Sequence, residues 1–202
     1  FVSKRVTMPI NSDSAGFAEH ATNVVSVICA RGKKPSAKGM APESKVQSYY
    51  LDQIESEAKV FSKLFTTQKF SVSNHSYGIG YGWRTSSTGK WLWYGANPQQ
   101  GVDPFGAYLA SSRTFDSVVY ASNYVIPVVA AGNERGDVPK KDCTVTIQRP
   151  GFANNTYKYD PATSLAIYGP NGGVDGFDVL PPTATAMNVI TVGSLKEDNV
   201  LS

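Results

Sequence analysis

Residues 125–134 read VIPVVAAGNE, and Val125 to Ala131 is an almost unbroken apolar run of the length expected for a strand buried on both faces. Pro127 argues the other way, because it removes one donor from the ladder. The run closes on small residues, then on Gly132 and Asn133. An asparagine there either presents its amide at the carboxyl end of a buried strand or makes an ordinary turn.

Outward from this stretch the chain alternates between helix and strand signals. Downstream, Met187 to Gly193 (MNVITVG) predicts a further strand. Upstream, a helix fits Phe105 to Asn123, with Phe105, Tyr108, Leu109, Phe115, Val118 and Val119 as its apolar positions, and Phe70 to His75 is a short strand. Ile54, Ala58, Phe61, Leu64 and Phe65 recur at helical spacing and predict an amphipathic helix over Asp52 to Thr67. Lys45 to Leu51 reads as a strand after the turn-forming Ala41-Pro42, and Val24 to Ala30 as a buried helix stopped at Arg31-Gly32. Helices falling between strands imply an α/β fold, a mostly parallel sheet with helices on both faces. Sites in such sheets gather at the carboxyl ends of strands.

Two long segments interrupt this pattern. Ser76 to Pro104 is rich in Gly, Trp, Tyr, Ser and Asn, which is loop chemistry with aromatic decoration. Residues 134 to 186 hold half of the 12 prolines and read as irregular, with one short helix near Ala162 to Ile167. Trp83, Trp91, Trp93 and Tyr94 either form a substrate rim or sugar-binding platform or pack as an inserted hairpin, and packing is the simpler reading.

Composition narrows the function classes. The 202 residues suffice for one domain with its own core, and 41% hydrophobic with 17% charged residues excludes both a disordered and a membrane-embedded chain. The net charge is +3, and the 19 Lys and Arg are scattered, with Lys4-Arg5, Lys33-Lys34 and Lys140-Lys141 the adjacent pairs. No basic stripe tracks phosphates, so nucleic acid is not expected as a partner. No apolar run approaches the roughly 20 residues of a membrane-spanning helix. The chain opens at Phe1 without the regions of a signal peptide, as an excised or processed piece would. Cys29 and Cys143 are too few for a disulfide framework or a closed zinc site, and stay open between buried thiols and one disulfide.

Three segments could carry chemistry. His20 stands at the amino-terminal end of the first helix, where an imidazole can be held over a cleft as a general base or simply lie on the surface. Asn133 is an oxyanion donor or a turn residue. Asn74-His75-Ser76-Tyr77-Gly78, at a strand end, lines a pocket or turns, with His75 structural in either case. Asp175 and Asp178 leave a calcium site open, but two carboxylates in a Gly-rich loop name no metal and no other cofactor is implied. Asn154-Asn155-Thr156 fits a glycosylation sequon.

Taken in order, these segments resemble the subtilisin-like serine peptidases, or subtilases. His20-Ala21-Thr22-Asn23-Val24-Val25-Ser26 is similar to that family's His-Gly-Thr-His-Val-Ala-Gly block, and Gly39-Met40-Ala41-Pro42 to its Gly-Val-Ala-Pro turn. Asn74-His75-Ser76-Tyr77-Gly78 resembles Asn-x-Ser-Leu/Trp-Gly, Ala130-Ala131-Gly132-Asn133-Glu134 the Ala-Ala-Gly-Asn-Glu block, and Asn188 to Gly193 the strand that follows. The resemblance runs from about residue 14 to 198 and implies a partial catalytic domain over 1–202, incomplete at both ends, with long inserted loops near 79–104 and 134–186. It implies that His20 is the general base and Asn133 the oxyanion donor. Ser76, Tyr77 and Gly78 on one side, and Ala130, Ala131 and Gly132 on the other, would line the pocket for the residue before the scissile bond of a polypeptide substrate.

The resemblance also exposes gaps. No Gly-Thr-Ser occurs, so the family's nucleophile is missing from these residues, and Asp13-Ser14-Ala15-Gly16 stands too close to His20 to be its Asp-Ser/Thr-Gly strand. Phe1 to Val6 instead looks like the segment after that aspartate. Ala21, Asn23 and Ser26 depart from two glycines and a second histidine. The leading expectation is therefore a serine endopeptidase whose chain is inactive alone, with other fragments of the same parent as partners and, by family habit, a secreted or cell-surface location. The alternative is a non-catalytic peptide- or glycan-binding relative that uses the aromatic loop as its contact surface.

Overall fold

The computed structural model describes residues 5–7, 18–49, 71–78, 80–94, 104–122, 124–147, 155–162 and 179–194. The chain divides into two compact units, Phe1–Glu57 and Ala58–Ser202. In the first, β1 (Val6–Thr7) pairs in parallel with β2 (Val46–Gln47), which is the described core of the strand expected over 45–51. Between them lies α1 (Glu19–Cys29). It stops where Ala30 turns extended, and the carbonyls of its last turn are taken by the returning chain. Met40 N–H donates to Val27 O (2.9 Å), Ala41 N–H to Ile28 O (2.7 Å) and Gly39 N–H to Ala30 O (2.8 Å). A Cβ on residue 39 would lie 2.6 Å from Ala30 N and 2.8 Å from Ile28 O, so only glycine permits this approach.

α1 has no basic residue in its last turn, and Arg5 supplies the cation from outside. Its guanidinium donates to Cys29 O (3.2 Å), Ser44 O (3.2 Å) and Pro42 O, at the carbonyl end of the helix where positive charge is favoured. The helix is less buried than its apolar run suggests. Cys29 is buried and carries a free thiol, Val24, Val25 and Ile28 are half-buried, and Val27 is 66% exposed. Val24, Val25, Val27, Ile28 and Cys29 spread over more than half of the helix circumference, and one face alone is packed.

The second unit holds two sheets. The first is parallel, in the order β3-β6-β9, with β3 (Ser71–His75), β6 (Val125–Ala130) and β9 (Ile190–Val192). Pro127 is level with Ser73, one residue before β9 joins β6 at Val128. At that residue β6 is still an edge on the β9 side, where a missing donor costs no ladder bond. α2 (Ala110–Tyr120) covers the face that carries His75 and Val129, and Phe115, Val129, Ala184 and Ala186 form a buried cluster there. The helix begins five residues later than expected. Pro104 to Gly106 form a turn, Gly106 N–H donates to Leu180 O (2.9 Å), and Ser112 Oγ accepts the Leu109 N–H (3.2 Å) at the helix start.

The second sheet overturns the loop reading over residues 83–93, 144–147 and 155–158. β4 (Trp83–Thr85) and β5 (Trp91–Trp93) form an antiparallel hairpin, β7 (Thr144–Ile147) and β8 (Asn155–Lys158) another, and β5 pairs with β7 in parallel. The register puts Trp83, Trp93 and Ile147 in one row, and with Val145 and Tyr159 they form a second core. Trp83 and Trp93 are 0% and 2% exposed, with ring centroids 5.0 Å apart. Trp83 and Trp93 are therefore core residues of this sheet, as the packing reading expected, and the half-buried Trp91 packs against them. Cys143, a free thiol, packs at its margin. The helix expected over 52–67, residues 163–167 of the short helix expected near Ala162 to Ile167, Asp175, Asp178 and Asn154 lie outside the described residues.

The link between α2 and the approach to β9 is polar. Ser112 Oγ donates to Pro182 O, Thr191 Oγ1 donates to Ala184 O (2.7 Å), and the buried Asp116 accepts from Asn188 N–H (2.8 Å), Met187 N–H (3.1 Å) and Tyr108 Oη (2.8 Å). Burial pushes the Asp116 pKa up, but the hydrogen bonds from Met187, Tyr108 and Asn188 outweigh it and hold the carboxyl below its ordinary value.

Asp116→Ala strands both amides and is expected to cost about 1–3 kcal/mol in urea unfolding. Because the folded-state pKa is lowered, the wild-type contribution is present above the unfolded carboxyl value near about 4 and is lost as pH falls through the folded one. The variant's stability should show less of this acid dependence, and an unchanged pH profile would count against the clasp. Trp83→Ala is expected to cost about 3–5 kcal/mol, with amide exchange rising first across β4, β5, β7 and β8.

Candidate active site

Parallel pairing of β3 with β6 sets Asn74 level with Val128 and His75 level with Val129. The two strands therefore end side by side, and Ser76-Tyr77-Gly78 leaves the sheet next to Ala130-Ala131-Gly132. The six residues thus follow from the carboxyl ends of two neighbouring strands. Ser76 Oγ accepts from Asn74 Nδ2 (3.0 Å), Tyr77 and Gly78 are exposed, and a Cβ on Gly78 would meet nothing within 4 Å. Ala131 N–H continues the ladder to Val192 O (2.9 Å), so β6 stays paired up to the last residue before the turn.

Gly132 makes that turn. Its φ is +103°, which residues with a side chain rarely adopt, and a Cβ would lie 3.1 Å from Pro181 Cδ and 3.2 Å from Val179 O. Asn133 follows, exposed at the end of β6, with its backbone N–H donating to Glu134 Oε2 (2.7 Å). Glu134 went unremarked in the sequence beyond its place in the block, although an acidic side chain next to a Gly-Asn turn is a familiar acceptor for turn amides.

His20 belongs to the other unit. It is the second residue of α1, exposed, and shares a face with the exposed Asn23 and Val27 at i+3 and i+7. That face is open to solvent, as access for a proton acceptor requires. Thr22 and Ser26, on the same helix, spend their hydroxyls on Ala18 O (2.9 Å) and Thr22 O (2.8 Å).

His75 is buried, 2% exposed, between Ser73 and Tyr77 on the face of β3 that meets α2. The structure thus gives it the structural place expected, and adds a contact to Tyr77 that sequence reasoning missed. The signal was available, since residues 73, 75 and 77 alternate onto one face of a strand. Among the described residues, no group of three or more His, Cys, Asp or Glu could hold a metal ion, and no helix is long and apolar enough to cross a membrane.

No curated protein and no solved structure matches the chain. The sequence model of the subtilase family matches residues 6–202, from β1 through β9 and beyond. With a match over nearly its full length, and with the parallel strands that the resemblance implied, the chain belongs to the subtilase family.

Proposed function

We propose that this chain supplies the general base, the oxyanion donor and both walls of the peptide cleft to a subtilisin-like serine endopeptidase. The observation that supports this most is the level ending of β3 and β6. An extended peptide laid between Ser76–Gly78 and Ala130–Gly132 would meet backbone groups on both sides, and the small residues leave room for a large apolar side chain. Asn133, at the end of β6, would donate its side-chain amide to the tetrahedral oxyanion, a contact worth about 2.7–4 kcal/mol of barrier in such sites. His20 would take the proton from a serine hydroxyl and return it to the leaving amine.

These 202 residues contain no Gly-Thr-Ser block and no Asp-Ser/Thr-Gly, so in this proposal the nucleophile and its aspartate come from other residues of the parent polypeptide. By family habit the proposal includes a secreted or cell-surface setting. The competing peptide- or glycan-binding reading uses Trp83, Trp91, Trp93 and Tyr94 as its contact surface. Trp83 and Trp93 are enclosed in the core of the second sheet, which leaves that reading the half-buried Trp91 and the exposed Tyr94.

Two measurements test the proposal. The purified chain is expected to leave casein and a blocked tetrapeptide p-nitroanilide uncut, and inhibitor-sensitive turnover would refute the division of labour. A blocked tetrapeptide amide ending in phenylalanine is expected to shift the amide resonances of residues 76–78 and 130–133. Shifts centred on β4, β5, β7 and β8 would contradict the cleft.

A further inference from the structure

The reading of Ser76 to Gly78 as a cleft wall gives no task to the one histidine of the second unit, which is buried. His75 lies under that wall. Its Nε2 is 2.8 Å from Ser73 Oγ, its Nδ1 is 2.6 Å from Tyr77 Oη, and its ring meets Phe115 edge-on at 5.0 Å. A neutral imidazole has one donor and one acceptor nitrogen, so the chain Ser73–His75–Tyr77 must run in one direction. Either Ser73 donates to Nε2 and Nδ1–H donates to Tyr77, or Tyr77 donates to Nδ1 and Nε2–H donates to Ser73. Both directions satisfy all three groups.

Tyr77 sits at the other end of this tether. It is 42% exposed, so its hydroxyl reaches inward to a buried partner while part of its ring stays on the surface. Its ring stands at 68° to the imidazole, with centroids 5.5 Å apart. Where the family's segment reads Asn-x-Ser-Leu/Trp-Gly, this chain carries tyrosine, whose hydroxyl gives the wall a polar handle that leucine lacks. Phe115 holds the imidazole from α2, so the rigidity of the helix–sheet core passes through His75 to the wall.

We propose that His75 is a positioning residue that fixes Tyr77 as a rigid aromatic wall of the peptide cleft, and thereby sets the preference of the cleft for a large apolar side chain. The inference rests on the cleft reading above. A phenylalanine at position 77 would have the same ring and nothing to hold it, so the wall would yield to small and large side chains alike.

The test uses the whole chain and two probes, blocked tetrapeptide amides ending in phenylalanine and in alanine, with dissociation constants read from amide shifts. His75→Asn keeps a polar group where Nδ1 faces Tyr77, whereas His75→Gln keeps one where Nε2 faces Ser73. His75→Asn should retain the wild-type preference for the phenylalanine probe within about twofold, while His75→Gln and Tyr77→Phe should each lower it about fivefold, the worth of one hydrogen bond. A merely structural histidine would make the two amide variants alike, and that result, or an unchanged preference in Tyr77→Phe, overturns the tether. If the wild type binds neither probe, the cleft reading fails and takes the tether's role with it. Should the His75 variants not fold, the wild type and Tyr77→Phe still decide by nitrogen NMR. The imidazole of His75 should show one tautomer that changes in Tyr77→Phe, and a tautomer mixture indifferent to that change counts against the proposal.

Discussion

The second unit depends on a strand hydrogen-bonded along both edges. β6 pairs with β3 over five residues and with β9 over three, and parallel ladders allow no slip without turning every side chain to the wrong face. Register therefore does two jobs. It puts Val129 and His75 under α2, and it makes the segments that follow β3 and β6 leave the sheet together. The geometry of the candidate cleft is a by-product of where the core residues must go.

α2 holds that arrangement with polar groups as much as with Phe115. Ser112 and Asp116 are both buried, and they fasten the segment between Pro182 and Asn188 that leads into β9. Buried polar groups are costly unless partnered, and a partnered one selects a single geometry where apolar contact would accept several. The first unit uses the same device at the end of α1, with Arg5 and the returning residues 39–41.

Much of this was legible from the residues. Apolar runs bounded by turns located β3, β6 and β9, the helical spacing located α2, and five ordered blocks pointed to the family. The second sheet was hidden because its strands are three or four residues long, too short for alternation to stand out among Gly, Ser and Pro. In hindsight Thr-Val-Thr-Ile at 144–147 alternates cleanly. The start of α2 was misjudged because Phe105 and Tyr108 are apolar at helical spacing yet belong to the turn before it. The Asp116 clasp and the His75–Tyr77 contact depend on tertiary placement or on which way a side chain turns, and a linear pattern carries little of either. His20 and Asn133 stood out through the family blocks, since a histidine near a helix start and a Gly-Asn turn are commonplace singly.

The parallel pairing of β5 with β7 joins two hairpins that lie some fifty residues apart in the chain, on either side of α2 and β6. Each hairpin alone would expose the tryptophan or valine face that the other covers. The two are thus one structural module, and a chimera that transplants this surface must carry both segments across together.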